Sequence, residues 1–290
     1  MKEGRIIKAL SGFYYVKADD VVYPCKGRGL FRKQKITPLV GDFVTFDEHE
    51  AYITDIAKRT NELVRPPISN ITQAILVSSA TMPDFSSLLL DRFLVLIEAK
   101  QIKPIIVITK VDRTTEAELA HLGDIQQQYR NIGYQVILFS AKGERDPEAL
   151  KPYFKDQVTV IAGQSGVGKT SLLNALEPSL LLKTADISKS LGRGKHTTRH
   201  VELLEIANGL IADTPGFSML EFGDISAEVL ADSFPEFEEH QSSCKFRGCL
   251  HYKEPKCAVK EAVATGKIAT FRYEHYISFL EEIQSRKPRY

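Results

Sequence analysis

The chain has 290 residues, 43% of them hydrophobic and 26% charged, with a formal net charge of +1. That is the make-up of a globular protein with enough material for two or three domains. No apolar run approaches the ~20 residues of a membrane span, and the opening MKEGRIIKAL lacks the apolar core of a secretory leader, so no membrane contact is expected and a cytoplasmic location is. The charge is segregated, however. Lys26, Arg28, Arg32, Lys33 and Lys35 follow one another with no acidic residue between them. Glu221, Asp224, Glu228, Asp232, Glu236, Glu238 and Glu239 do so with no basic one, and basic residues outnumber acidic ones after His240. Basic ends suggest flanking domains that touch a polyanion; solvated faces are the plain alternative.

In chain order, residues 1–66 read as short β segments, among them GFYYVKA (Gly12 to Ala18), VVYPC (Val21 to Cys25), DFVTFD (Asp42 to Asp47) and AYITDI (Ala51 to Ile56). Such closely spaced strands predict a small barrel of the OB type. The basic stretch CKGRGLFRKQK (Cys25 to Lys35) falls on a barrel loop and strand, where Phe31 either stacks on a nucleic-acid base or belongs to the core. Pro66 and Pro67 are expected to stop strand pairing and mark a linker. From Ile71 the texture changes to near-continuous apolar runs: ITQAILVSSA, PIIVITK, QVILFSA and VTVIAG. These are strands buried on both faces. They alternate with helical spacing over Leu88 to Lys100 and Glu116 to Arg130, the latter stopped by Gly133. Val201 to Ala207, the pair Asn208-Gly209 and Leu210 to Thr214 read as a hairpin. Residues 67–222 are therefore expected to form a doubly wound α/β domain with an antiparallel edge pair. Residues 223–290 lack strand alternation and read as a small helical domain organised by a cysteine cluster.

The segment GQSGVGKT (Gly163 to Thr170) directly follows a predicted strand and precedes the helix-like TSLLNAL. Glycines in that context turn backbone N–H groups onto phosphate at a helix N-terminus. The phosphate-binding residues are then Gly163, Gln164, Ser165, Gly166, Val167, Gly168, Lys169, Thr170 and Ser171, with Lys169 bridging phosphate oxygens and Thr170 offering its hydroxyl to Mg²⁺. TKVD (Thr109 to Asp112) and SAK (Ser140 to Lys142) each follow a strand; HTT (His196 to Thr198) and DTPG (Asp213 to Gly216) come later. Together these resemble the five motifs of a guanine-nucleotide-binding domain in rotated order, as in a circularly permuted GTPase.

The resemblance implies that Asp112 accepts hydrogen bonds from guanine, that Lys110 lays its stem along the base, and that SAK (Ser140, Ala141, Lys142) offers the Ala141 N–H to guanine O6. Thr109 stands where Asn is usual, and its hydroxyl can still tie this loop to the phosphate loop. Asp213 would hold Mg²⁺ through a water, and the Gly216 N–H would meet the γ-phosphate. Phe217 stands where many relatives carry a water-orienting Gln, so slow unaided hydrolysis is expected. Either Thr197 or Thr198 would cap Mg²⁺ and the γ-phosphate. His196 is the candidate to orient water, joining Lys169 and Thr198 in catalysis; the alternative is that His196 and Arg193 only contact a partner.

Cys244, Cys249, His251 and Cys257 lie within one short segment, while Cys25 stands alone as a core residue. Three thiolates and an imidazole complete a closed tetrahedral zinc site of the structural kind. With the OB-like start, GQSGVGKT, GRGKHTT, DTPGF and this cysteine–histidine set, the chain resembles the RsgA family over essentially its whole length; GRGLFRK…VGDFV is similar to that family's N-domain signature. The resemblance implies a permuted GTPase domain at 67–222 between an RNA-binding barrel at 1–66 and a zinc-binding helical domain at 223–290. Its partners would be GTP, GDP, the small ribosomal subunit and its rRNA, acting as a monomer in late subunit maturation. The competing reading is a GTP-dependent RNA-binding switch or scaffold that does not act on ribosomes.

Overall fold

The computed structural model describes residues 1–33, 36–140, 147–178, 201–213, 221–223 and 225–286. Five strands, β1 (Lys2–Leu10), β2 (Phe13–Ala18), β3 (Val21–Gly27), β4 (Phe43–Asp47) and β5 (Tyr52–Ile56), run in the order β1-β2-β3-β5-β4 and close where β4 pairs antiparallel with β1. Ile6, Val16, Cys25, Val44, Phe46 and Ile53 fill the interior of this OB-like barrel. β1 carries no clean alternation in its sequence, and the reason is a register shift between Ile6 and Lys8. Below the shift, Lys2 to Arg5 pair with β4; above it, Lys8 and Ala9 pair with a strand nearly two hundred residues away. A bulge bends and twists a strand, and here it lets one strand serve two neighbours in turn.

Of the basic stretch Cys25 to Lys35, Cys25 to Gly27 end strand β3 and a short helix, α1 (Gly29–Lys33), stands in place of a loop; Phe31 is buried in the core. Phe31 is thus unavailable for stacking on a base. The two prolines do not end pairing either. β6 (Glu62–Val64) and β7 (Pro67–Ser69) form a two-stranded ribbon with Pro67 opposite Val64, at the first residue of its strand, where a missing N–H is tolerated. This connector is pinned to the barrel by the buried carboxylate of Asp42, which accepts from the Ser69 hydroxyl at 2.6 Å, from the Leu39 N–H at 2.7 Å and from Arg59 Nε at 2.8 Å.

The central sheet continues as β8 (Gln73–Ser79), β9 (Lys103–Thr109), β10 (Gln135–Leu138), β11 (Val158–Ala162), β12 (Val201–Ile206) and β13 (Gly209–Asp213), in the order β10-β9-β8-β11-β13-β12. All are parallel except β12, and β8, β9 and β11 are buried along nearly their whole length, as their apolar runs require. α2 (Ser87–Glu98), α3 (Glu116–Ile132, closed by Gly133 in the left-handed region) and α4 (Lys169–Leu176) cover it. The β12–β13 turn is centred on Ala207 and Asn208, both at positive φ, one residue earlier than the Asn-Gly pair suggests. Gly209 instead lies in the strand, where a Cβ would sit 1.9 Å from the Phe154 carbonyl oxygen. β12 is no free edge: Glu202 and Val201 pair with Lys8 and Ala9 of β1, so barrel and central sheet form one hydrogen-bonded sheet.

Among the described residues four helices follow: α5 (Ala227–Asp232), α6 (Pro235–Gln241), α7 (Ala258–Ala264) and α8 (Thr270–Gln284). They are clamped to α2 and α3 by an ion cluster at whose centre Arg272 and Asp91 are fully buried. Arg272 Nη1 lies 2.5 Å from Asp91 Oδ1, and its Nε lies 2.7 Å from Glu236 Oε1. Asp91 also accepts from the Tyr129 hydroxyl and meets His275 Nδ1, each at 2.6 Å. Beside it Arg92, paired with Glu282, covers the rings of Phe222 and Phe279. Among the described residues no helix is long and apolar enough to cross a membrane. Asp91→Ala would leave the Arg272 guanidinium buried with one partner fewer, so it is expected to destabilise the protein by about 3–5 kcal/mol. Equilibrium urea unfolding checks this; a change under about 1 kcal/mol would show that Glu236 alone suffices.

Candidate functional site

The parallel strands β8, β9 and β11 end on the same edge of the sheet, the edge at which open α/β sheets take their ligands. The loop after β11 turns on three glycines at positive φ, Gly163, Gly166 and Gly168. Gly163 has no substitute on steric grounds as well: a Cβ there would lie 2.2 Å from the Val77 carbonyl oxygen of β8. Gly168 caps α4, so the loop delivers its N–H groups at a helix N-terminus of the kind that binds anions. Gln164, Ser165 and Gly166 form the exposed crown of the loop, and Val167 tucks into the core beneath it. Lys169 folds its ammonium back onto the Gly163 and Gln164 carbonyls at 2.7 and 2.8 Å. Burial lowers its pKa, so the ammonium gains from any anion that comes within reach.

The TKVD segment lies against this loop. The buried Thr109 hydroxyl hydrogen-bonds to the Val167 carbonyl, with the Ser78 carbonyl 3.2 Å away as an alternative acceptor. Lys110, at positive φ, donates to the Gly166 carbonyl at 2.7 Å and to the Met82 carbonyl. Burial, and then Arg113, hold its pKa down. Asp112 lies exposed in a single helical turn and accepts from the buried Ser140 hydroxyl at 2.7 Å, which joins TKVD to the start of SAK. Thr170 and Ser171 open α4, and Asp213 ends β13 beside β11. Ala141, Lys142, Arg193, His196, Thr197, Thr198, Gly216 and Phe217, and the side chain of Asp213, lie outside the described residues.

Residues 79–83 were not singled out from the sequence, yet they abut the same loop. The Ser79 hydroxyl donates to the Pro83 carbonyl at 2.5 Å, and Pro83 Cδ would be 3.8 Å from a Cβ at Gly166. Their signal was present: a Met-Pro turn directly after a buried strand at the ligand-binding edge.

Far along the chain, Cys244, Cys249, His251 and Cys257 place four donor atoms within 4.8 Å of one another. Cys244 Sγ stands 3.8 Å from Cys257 Sγ and 3.6 Å from His251 Nδ1, and His251 Nδ1 stands 3.3 Å from Cys257 Sγ. Tetrahedral zinc, at about 2.3 Å from sulfur and about 2.0–2.1 Å from nitrogen, has S–S and S–N edges of about 3.8 and about 3.5 Å. The donor set therefore fits zinc. Burial pushes the Cys249 thiol up to about 12 and pulls the His251 imidazole down, so an entering cation displaces thiol protons and meets a neutral imidazole. The Tyr276 and Tyr273 hydroxyls of α8 hold the Leu250 and His251 carbonyls at 2.5 and 2.7 Å, fixing the loop from behind.

Comparison with known proteins agrees with this architecture. The family described as RsgA GTPase matches residues 56–223, and that described as RsgA N-terminal domain matches residues 3–53. A "Small ribosomal subunit biogenesis GTPase RsgA 2" of Oceanobacillus iheyensis is 67% identical, with both chains covered completely. The "Small ribosomal subunit biogenesis GTPase RsgA" of Bacillus subtilis is 57% identical, again over 100% of each. Among solved structures, YloQ, described as a circularly permuted GTPase, superposes with a TM-score of 0.85 at 53% identity, over 100% of this chain and 97% of that one. YjeQ from Thermotoga maritima gives 0.86 at 37% identity, with 99% of each chain covered.

Because a Cβ at Gly163 would lie 2.2 Å from the Val77 carbonyl oxygen, Gly163→Ala is expected to displace the loop and abolish nucleotide binding. Titration with a fluorescent guanine nucleotide checks this; binding within about threefold of wild type would show that the loop relaxes at no cost.

Proposed function

The chain belongs to the RsgA family of circularly permuted GTPases and is a GTP hydrolase, and from that premise we propose that it acts in late maturation of the small ribosomal subunit, hydrolysing GTP slowly alone and faster on the subunit. The observation that carries the GTP reading is the hydrogen-bonded contact of the phosphate loop with TKVD, Thr109 to Val167 and Lys110 to Gly166, which sets phosphate-binding and base-binding groups on one sheet edge. In this reading Lys169 turns from the loop carbonyls to the β- and γ-phosphate oxygens, and the glycine-rich backbone holds the phosphates in place. Asp112 pairs with guanine N1–H and the exocyclic amine, and adenine, lacking those donors, would leave it unpaired. Ser140 holds that carboxylate, and the Ala141 N–H reads guanine O6.

Thr170 and Asp213, with Thr197 or Thr198, supply the hard oxygen donors that suit Mg²⁺. When bound, that ion neutralises charge on the phosphate oxygens. The Gly216 N–H meets the γ-phosphate, and His196 orients the attacking water in place of the Gln that Phe217 displaces. Slow unaided turnover follows because the Phe217 ring can neither accept a proton from the attacking water nor donate one to it. Support for a partner's influence comes from the sheet: β12, which follows HTT after only Arg199 and His200, is hydrogen-bonded to barrel strand β1. A partner seated on the barrel therefore bears on β12, the strand that HTT precedes in the chain. The names of the relatives support the small subunit as that partner. We also assign one structural zinc to Cys244, Cys249, His251 and Cys257, and working units to residues 1–66, 67–222 and 223–290.

GTP turnover measured alone and with purified small subunits is expected to rise by an order of magnitude or more in the complex. His196→Ala should abolish most of that rise while changing nucleotide affinity little. No stimulation of the wild-type protein would remove the ribosomal reading, and full stimulation of the variant would remove His196 from the chemistry. Chelation of zinc is expected to strip hydrogen-exchange protection from residues 242–264 and leave nucleotide binding within a few-fold. Unchanged protection in metal-free protein would contradict a structural metal.

A further inference from the structure

The outer face of the barrel presents a row of side chains that the fold itself does not use. Phe13 of β2 is paired with Lys26 of β3, and Lys26 with Tyr52 of β5. Phe13 and Tyr52 are 37% and 38% exposed, and the Lys26 ammonium rests over the Phe13 ring, 5.1 Å from its centroid. The neighbours of opposite parity, Cys25 and Ile53, are buried in the barrel, so the row points outward by register and not through local disorder.

The charge of this face is uneven. Lys8 and Lys17, toward the central sheet, are neutralised by Glu202 and Glu205 of β12. Lys26 and Arg28 make no ion pair among the described residues. The acid nearest to the row in register is Asp47, opposite Tyr52, and its carboxylate already accepts the His49 and Glu50 N–H groups. The row is thus two exposed rings flanking a free cation, with a second cation, Arg28, just beyond.

We propose that Phe13, Lys26 and Tyr52 form a stacking platform for an unpaired stretch of RNA, with Lys26 and Arg28 on its phosphates. Neighbouring strands are about 4.8 Å apart, so the two rings stand about 10 Å from each other across Lys26, enough for a base on each with the linking phosphate between. A ring stacks only on a base whose face is free; in a duplex both faces are taken by neighbouring pairs. The face formed by the second and third strands is also the one by which OB barrels take oligonucleotides. The platform rests on the reading of small-subunit RNA as the partner, and it replaces Phe31, which the core has absorbed.

The test titrates full-length protein into a labelled ten-nucleotide single-stranded RNA of mixed sequence, and into the same strand annealed to its complement, by fluorescence anisotropy at several salt concentrations. Wild type should prefer the single strand. F13A/Y52A should bind it at least about tenfold more weakly with an unchanged salt slope. K26A/R28A should lose about 1.4 from the slope of log affinity against log salt. All three proteins should keep wild-type unstimulated GTP turnover, which shows that they are folded. Equal binding of single strand and duplex, undiminished binding by F13A/Y52A, or an unchanged slope in K26A/R28A would overturn the platform. If it is overturned while subunits still stimulate turnover, the ribosomal reading stands and the RNA is held elsewhere. If ring-dependent binding persists without stimulation by subunits, the platform stands and the ribosomal reading falls.

Discussion

The backbone edge of β1 is the constraint on which the arrangement depends. A strand edge left unpaired carries a row of donors and acceptors that must be satisfied. In this chain two such edges face each other: the outer edge of β12, and the upper half of β1, which β4 does not reach. The bulge at Ile6–Lys8 resolves both by turning β1 out of the barrel and onto β12. The GTPase sheet and the barrel thereby share hydrogen bonds, and neither has an exposed ladder at their junction.

The two flanking units are attached by different physics. At the barrel the junction is a short ladder with Lys8–Glu202 and Lys17–Glu205 beside it, partly exposed pairs of the kind that contribute about 0–1 kcal/mol each. At the other side Arg272, Asp91 and Glu236 are withdrawn from water, and losing one member leaves the others stranded. The helices after Phe222 are therefore bolted to α2 and α3 by buried charge, while the ion pairs beside the barrel junction are ones that water and salt can weaken. Phe222, under Arg92 and against Phe279, fixes the point at which the segment following DTPG enters the bolted part.

Much of this was legible in the sequence, for local reasons. β8, β9 and β11 declare themselves by unbroken apolar runs, α3 by its spacing and by Gly133, and the candidate metal site by four donors in one short segment. The phosphate loop is a local motif, and Thr109 reaches it across 58 residues through a hydroxyl whose chemistry was evident. What stayed hidden depends on distant partners. β1 breaks alternation because it answers to two neighbours. Gly209 reads as a turn residue but is needed for the approach of the Phe154 carbonyl. Asp91, inside the apolar LLLDRFLVLIE, looks like a solvated charge until Arg272, 181 residues later, is set beside it.

The pairing of Lys8 with Glu202 has a consequence for the birth of the molecule. Chains emerge at roughly 5–20 residues per second, so β1 waits on the order of 10–40 s for its second partner. During that interval β4 can close the barrel only along the lower half of β1, and the upper half, paired to β2 on one side, has its other edge bare. β11 and β8 are likewise separated by a long intervening stretch, which makes closure of the sheet a late, slow event of high contact order. The nascent chain thus carries an open β edge through most of its own synthesis, and the last strand to arrive, β13 beside β12, completes a sheet whose first strand was made at the outset.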